Sequence, residues 1–295
     1  MSVASPRQPG GPRVAVVLGS GSVKCAAALG LLRVLKREGI GVDMIVGCSG
    51  GSVYAALIAM GHDVDTAEAM TRRLWTRELT ARRNHRSLLS VFLPRLFGFD
   101  ESFGMVDDAL ILERLKATFG SASIESAGIP LYLTATDFHT GEQVVFESGP
   151  IVDAIRASIA IPYVFRPWPI GGRMLVDGFM SDPMPVGVAI RQGANIIVTM
   201  GFESPYQQKI NSPLRFAFQL SSITSNNLLK SNFAFHNLAH HAEILPIIPE
   251  FKDRIHLFDT EKIPYVIEEG ERAAERQVPY LRRLLATREE SGMPR

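Results

Sequence analysis

Gly47-Cys48-Ser49-Gly50-Gly51 fits G-x-S-x-G. This pattern turns a strand sharply into a helix and leaves a serine hydroxyl above the sheet edge, at the positive end of the helix. A serine placed there can attack an ester carbonyl, although Ser is also an ordinary helix cap. The string stands where the chemistry needs it, after the apolar run Asp43 to Gly47 and before the apolar stretch Ser52 to Met60. Attack requires a base. Asp177, in Met174-Leu175-Val176-Asp177-Gly178, follows a short apolar run and precedes a glycine, so it falls at a sheet edge and could take the Ser49 proton itself. Taken alone, the same residues read as a common Asp-Gly turn. The histidine alternatives are His62, His85, His139, His236, His240, His241 and His256. The late ones allow the order Ser, acid, His, but none stands in a convincing strand-end turn.

A tetrahedral intermediate also needs preorganised N–H donors for its oxyanion. Gly19-Ser20-Gly21-Ser22, between an apolar run and a helical pattern, can supply them because small residues let backbone approach a ligand closely. A dinucleotide loop is the rival, but Lys24 stands where G-x-G-x-x-G needs its last glycine, and no G-x-x-x-x-G-K-[ST] occurs. Lys24 lies in the first turn of the helix, where acidic residues are favoured, and is a candidate to reinforce an anion site.

These residues need a sheet to hold them. Arg13 to Leu18 is a β-branched run that reads as a strand buried on both faces, and Val23 to Arg37 follows as a helix ending near Gly39. Asp43 to Gly47 and Ser52 to Met60 repeat the unit, so the class is α/β, with helices on the faces of a βαβ sheet. Pro130 to Asp137 and Gln143 to Glu147 read as a hairpin around His139-Thr140-Gly141. Further expected strands are Arg173 to Val176, Asn195 to Gly201, Ile244 to Ile248 and Ile255 to Phe258. Val152 to Ile159, Val186 to Gln192, Leu214 to His241 and Tyr265 to Thr287 read as helices. The apolar stripe of Leu214 to His241 suits core packing or an acyl pocket. Residues 1–12 read as a loose, uncleaved tail, residues 13–290 as one domain, and about 75–104 as an inserted cap.

Composition narrows the partners. The chain has 31 Lys plus Arg against 30 Asp plus Glu, which argues against a generic nucleic-acid binder. Two cysteines, Cys25 and Cys48, fit a reducing compartment better than a disulfide framework. No run is long enough to span a bilayer, so membrane contact would be peripheral. The span Arg72 to Arg95 holds seven Arg and one acidic residue, Glu78, and could meet anionic lipid, or form a cap with its apolar side on the core.

Four segments in order resemble the bacterial patatin-like phospholipases. Leu18 to Lys24 is similar to their oxyanion loop, Gly47 to Gly51 to their nucleophile elbow, and Asp177-Gly178 to their Asp motif. Ala157 to Pro167 (ASIAIPYVFRP) matches their A-S-x-A-x-P-x-x-F-x-P segment. The resemblance covers about residues 13 to 280 and implies a three-layer α/β/α fold with a mostly parallel central sheet. It implies a dyad with Ser49 as nucleophile and Asp177 as base, and an oxyanion hole at Ser20, Gly21 and Ser22. Gly19, Lys24, Gly47, Gly51 and Gly178 would support them. The implied reaction is hydrolysis of lipid esters, of phospholipase A or lysophospholipase type, through an acyl-enzyme and without metal or cofactor. A cytoplasmic protein touching the inner membrane face is the expected setting. Cys25, Phe179 and Asp182 depart from the family pattern. Two other readings stay open: an α/β-hydrolase with a Ser-Asp-His triad, and a catalytically silent lipid-binding protein of this fold.

Overall fold

A computed structural model describes residues 11–256 and 259–291 of the chain. The run after Arg13 forms β1 (Val14–Leu18), buried throughout, and a short 3-10 turn leads into α1 (Ala27–Arg37). β2 (Met44–Cys48) and α2 (Gly50–Ala59) repeat the unit. Every residue of α2 is buried, which suits a helix without a single charged side chain. α3 (Val64–Leu74) starts at Asp63, whose carboxylate accepts the Thr66 N–H. Next come α4 (His85–Phe92), α5 (Pro94–Phe97) and α6 (Ala109–Phe119). β3 (Leu131–Asp137), β4 (Gln143–Phe146), α7 (Ile151–Ser158), β5 (Trp168–Ile170) and β6 (Arg173–Asp177) follow. The chain ends through α8 (Val186–Arg191), β7 (Ile196–Met200), α9 (Pro213–Ala239), β8 (Glu243–Pro246) and α10 (Ile263–Ser291).

The described strands form one sheet in which pairing runs β5-β6-β3-β2-β1-β7-β8, each bonded to the next, with β4 also paired to β3. β3, β2, β1, β7 and β8 run parallel, and β4, β5 and β6 are antiparallel additions. Alternate residues of β1 enter two separate cores: Val14, Val16 and Leu18 pack with α1, α2 and α10, while Ala15 and Val17 pack with α8. Two cores on opposite faces make the three-layer α/β/α architecture.

The two edges of β3 carry different partners, and this division positions the site. β2 pairs with Leu131 to Thr134, and β4 with Leu133 to Thr136. Since both pair with Leu133 and Thr134, they must lie on opposite edges. β6 pairs with Ala135 to Asp137, overlapping β4, so it shares the edge of β2. β2 therefore climbs this edge to Cys48 opposite Thr134, and β6 descends the same edge to Asp177 opposite Ala135. The two strand ends meet one register position apart.

The segment from Trp75 to Gly104 leaves the sheet as short helices and returns by backbone pairing, Met105 N–H to Tyr163 carbonyl and Val106 N–H to Val164 carbonyl, each 3.0 Å. Beside this return the Arg156 guanidinium, 0% exposed, donates to Asp108 Oδ2 at 2.6 Å and to the Arg166 carbonyl at 3.0 Å. Its Cζ lies 5.5 Å from the Phe165 ring and 5.0 Å from that of Trp168.

Some expectations change. Ile255 and His256 have no regular structure, and Leu257 and Phe258 lie outside the described residues, as do residues 1–10 of the expected tail. β8 ends the order of the described strands, and no described strand pairs with its outer edge. Of the α9 stripe, Phe218 and Leu229 pack on the two cores, while Phe216, Leu220, Ile223 and Phe235 are exposed. α3, α6 and β5 were not expected. No described helix is long and apolar enough to cross a membrane.

Candidate active site

Ser49 occupies the turn between β2 and α2 with φ 54° and ψ −130°. A side chain in this region is strained and persists only when neighbours fix it. Three hydrogen bonds do so: Ser49 N–H donates to Ser158 Oγ at 2.8 Å, and its carbonyl accepts Ser52 N–H at 2.9 Å and Ser52 Oγ at 2.6 Å. The turn points the Ser49 hydroxyl across the junction of β2 and β6, where it donates to Asp177 Oδ2 at 2.8 Å. Asp177 Oδ1 accepts the Phe179 N–H at 3.1 Å, and Thr136 Oγ1 donates to the Asp177 carbonyl at 3.0 Å.

Asp177 is 0% exposed. Burial pushes its carboxyl from 3.8 up to about 7, against the pull of the Phe179 N–H and the Ser49 hydroxyl, both of which favour the charged form. A carboxylate titrating near neutrality beside a serine hydroxyl is a matched proton acceptor.

The glycine-rich loop packs directly against this turn. A Cβ on Gly50 would lie 2.7 Å from the backbone N of Ser22, and one on Gly21 would lie 2.4 Å from the Phe202 ring, so neither position admits a side chain. The loop corrects one expectation. Ser20 N–H donates to the Pro183 carbonyl at 2.9 Å and is not available to an oxyanion; the Ser20 carbonyl in turn accepts Phe202 N–H at 3.0 Å. The N–H groups of Gly21 and Gly50 have no protein acceptor among the described residues, and both residues line the pocket. Ser22, at φ 54°, lines it beside them.

The remaining named residues fall around this centre. Gly19 N–H donates to the Met200 carbonyl at 2.8 Å, Gly47 lies in β2 beneath α2, and a Cβ on Gly51 would meet the Leu18 carbonyl oxygen at 2.4 Å. Gly178 opens the turn after Asp177. Lys24 Nζ donates to the Glu203 carbonyl at 3.2 Å and sits 5.1 Å above the Phe202 ring, its pKa lowered by burial. The Cys25 thiol donates to the Gly19 carbonyl at 3.4 Å, and burial pushes it up to about 12. Asp182 Oδ1 accepts from Met184 N–H and Asn232 Nδ2, each at 3.1 Å, and burial raises its carboxyl to about 6. Both cysteines are free and buried. No described histidine is hydrogen bonded to Ser49. Ser158 and Ser52 carried no role on sequence grounds; no local signal reveals that a serine ending α7 meets an N–H 109 residues away.

Ser49 and Asp177 lie in the wall of a pocket of 460 Å³, within the usual range for small-molecule sites. Trp75, Ile159, Ile161, Phe165 and Phe179 give it an apolar side.

Known proteins share this arrangement of chain. An uncharacterised NTE family protein of Mycobacterium tuberculosis is 33% identical over 189 residues, 64% of this chain and 49% of that one. A lysophospholipase of Debaryomyces hansenii is 27% identical over 187 residues, 63% of this chain and 12% of the relative. The chain thus spans about half or less of the length of these curated relatives. The solved structure of human GIVD cytosolic phospholipase A2, in complex with a fluorophosphonate, has the same fold at a TM-score of 0.52 and 12% identity, covering 96% of this chain and 60% of that one. The sequence profile of the patatin-like phospholipases matches residues 16–190. With more than half of its length matched, the chain belongs to the patatin-like phospholipase family.

Proposed function

We propose that the protein is a serine acyl hydrolase of lipid esters, of phospholipase A or lysophospholipase type, working through Ser49 and Asp177. The 2.8 Å bond between the Ser49 hydroxyl and the buried Asp177 carboxylate, opening on an apolar pocket, carries this reading. Ionised Asp177 takes the Ser49 proton on Oδ2 as Oγ attacks the ester carbonyl, and the N–H groups of Gly21 and Gly50 hold the oxyanion. Collapse of the intermediate passes the proton from Asp177 to the departing alcohol and leaves an acyl-Ser49. Asp177 then deprotonates a water that attacks the acyl-enzyme, and the proton returns to Ser49 as the fatty acid leaves. The apolar side of the pocket holds the acyl chain. Membership of the family, a relative named as a lysophospholipase and a phospholipase of the same fold support the substrate class.

The test is turnover of a short p-nitrophenyl ester and of a phospholipid between pH 5 and 9. The base acts only when ionised, so kcat/KM is expected to rise about tenfold per pH unit below the Asp177 value of about 7 and to level off above it. Cleavage of neither ester would overturn the proposal, leaving a silent protein of the same fold.

The segment at about 75–104 serves in this reading as a cap and as the membrane contact. Leu93, Leu96 and Phe99 are exposed there, Leu96 at 79%, with Arg82, Arg83, Arg86 and Arg95 exposed among them. Exposed apolar side chains interleaved along the sequence with arginines suit an anionic bilayer surface. Arg82→Glu with Arg83→Glu is expected to lower co-sedimentation with phosphatidylglycerol vesicles severalfold; equal binding by parent and variant would remove the segment from the interface.

A further inference from the structure

The pocket lining also carries positive charge that acyl transfer does not use. Arg215, in the first turn of α9, and Arg254, between β8 and α10, both line the pocket with Lys24 and His256. Besides Asp177, one carboxylate belongs to this lining, Glu203, and its Oε1 is 3.2 Å from Lys230 Nζ. Arg215 Nη1 donates to the Lys209 carbonyl at 3.2 Å and Arg254 Nη2 to the Tyr206 carbonyl at 3.4 Å. Among the described residues neither guanidinium has a carboxylate within 4.0 Å. Each therefore braces one loop carbonyl and keeps most of its five donors for another acceptor.

The first turn of a helix disfavours positive charge, and Arg215 stands there without an acidic partner. Two guanidinium groups from distant parts of the chain converge on the same loop, residues 202–212, and face one cavity. Planar, always-charged forks of this kind match phosphate oxygens in bidentate geometry. Apolar side chains and Ser49 line the same cavity.

We propose that Arg215 and Arg254 form an anion subsite for the phosphate of a lipid head group, so that the preferred ester carries phosphate on its alcohol portion. The subsite rests on the reading of Ser49 and Asp177 as hydrolytic only for its consequence in turnover; binding is independent of it. The apolar wall takes the acyl chain, the guanidinium pair takes the phosphate, and the ester bond between them lies across Ser49. Lys24 is already held by the Glu203 carbonyl and the Phe202 ring, and adds charge from the loop side.

The experiment compares octanoylglycerol with octanoylglycerol phosphate, which share the acyl chain and ester and differ in the phosphate. Arg215→Gln with Arg254→Gln is expected to lower kcat/KM for the phosphate ester at least tenfold, mainly through KM, and to leave turnover of the neutral ester within twofold. An equal fall on both esters would show that the arginines only brace the loop, and no change on either would also overturn the subsite. Glycerol phosphate is expected to inhibit neutral-ester turnover by the parent more strongly than inorganic phosphate does; equal inhibition would assign the pair to free phosphate and overturn the head-group assignment. Titration of octanoylglycerol phosphate into Ser49→Ala needs no turnover. Binding that weakens tenfold when both arginines are replaced in that chain sustains the subsite even where the hydrolytic reading fails.

Discussion

Ser49→Ala is expected to lower ester hydrolysis by at least about a thousandfold, because loss of the nucleophile leaves only binding and oxyanion donors to assist attack by water. The parent chain should be labelled at Ser49 by an alkyl fluorophosphonate, and the variant should take up none. Asp177→Asn should come close to the same loss, since the amide cannot accept the hydroxyl proton, while no single His→Ala change should reach tenfold. Loss on replacing His256, which lines the pocket, would instead favour a triad. Folding gives an independent control with a definite sign. The Asp177 carboxyl holds its proton up to about pH 7 in the folded chain against 3.8 in the ordinary state, so folding takes up a proton between those values. Stability from this group is lost as pH rises through that window. Asp177→Asn is therefore expected to melt no lower than the parent at pH 8 while being inactive. A variant that is inactive because it is unfolded would fail this comparison.

Asp108→Ala is expected to destabilise the fold by about 3–5 kcal/mol, the usual consequence of leaving a buried charge without its partner. Arg156 is fully buried, and its pKa is lowered by burial, with Asp108 giving the largest opposing pull. Among the described residues its Nε and Nη1 have no hydrogen-bond partner, and Asp108 and the Arg166 carbonyl are its polar contacts, with two aromatic rings beside them. Arg166 also reaches Asp108, Nε to Oδ1 at 3.4 Å, but from an exposed position. Loss on the order of 10 °C in Tm follows for a chain of this size. A loss below about 1 kcal/mol would mean that water reaches the guanidinium once the carboxylate is gone. The effect should fall hardest on the 75–104 excursion, which rejoins the body at Met105 and Val106 beside this pair.

Strands buried on both faces were the most legible elements, because a continuous apolar run such as Val14 to Leu18 leaves one reading when glycines and a helix follow it. α3 was not, because it buries a narrow face and is otherwise largely charged, with Asp65, Glu68, Arg72 and Arg73; α6, although mostly apolar, was missed as well. The strand expected at Ile255 had the right composition, but its described residues make no ladder with the sheet, which composition cannot report. At the site, local spacing named Ser49, Asp177 and the glycine loop as chemically able residues. It could not reveal that Pro183 takes the Ser20 N–H or that Ser158 holds the Ser49 N–H, because both contacts arise from strand register and helix placement far along the chain. Arg215 and Arg254 were equally invisible, two ordinary arginines until the loop brings them to one cavity.

Two strands arriving head to head along β3 mean that serine and carboxylate, 128 residues apart, are brought together by two separate pairings. A nascent polypeptide that has emerged only as far as residue 176 holds the hydroxyl but has no acid to activate it, and such long-range closure is slow. The proposed dyad is thus completed only once the antiparallel strand β6 has docked on β3.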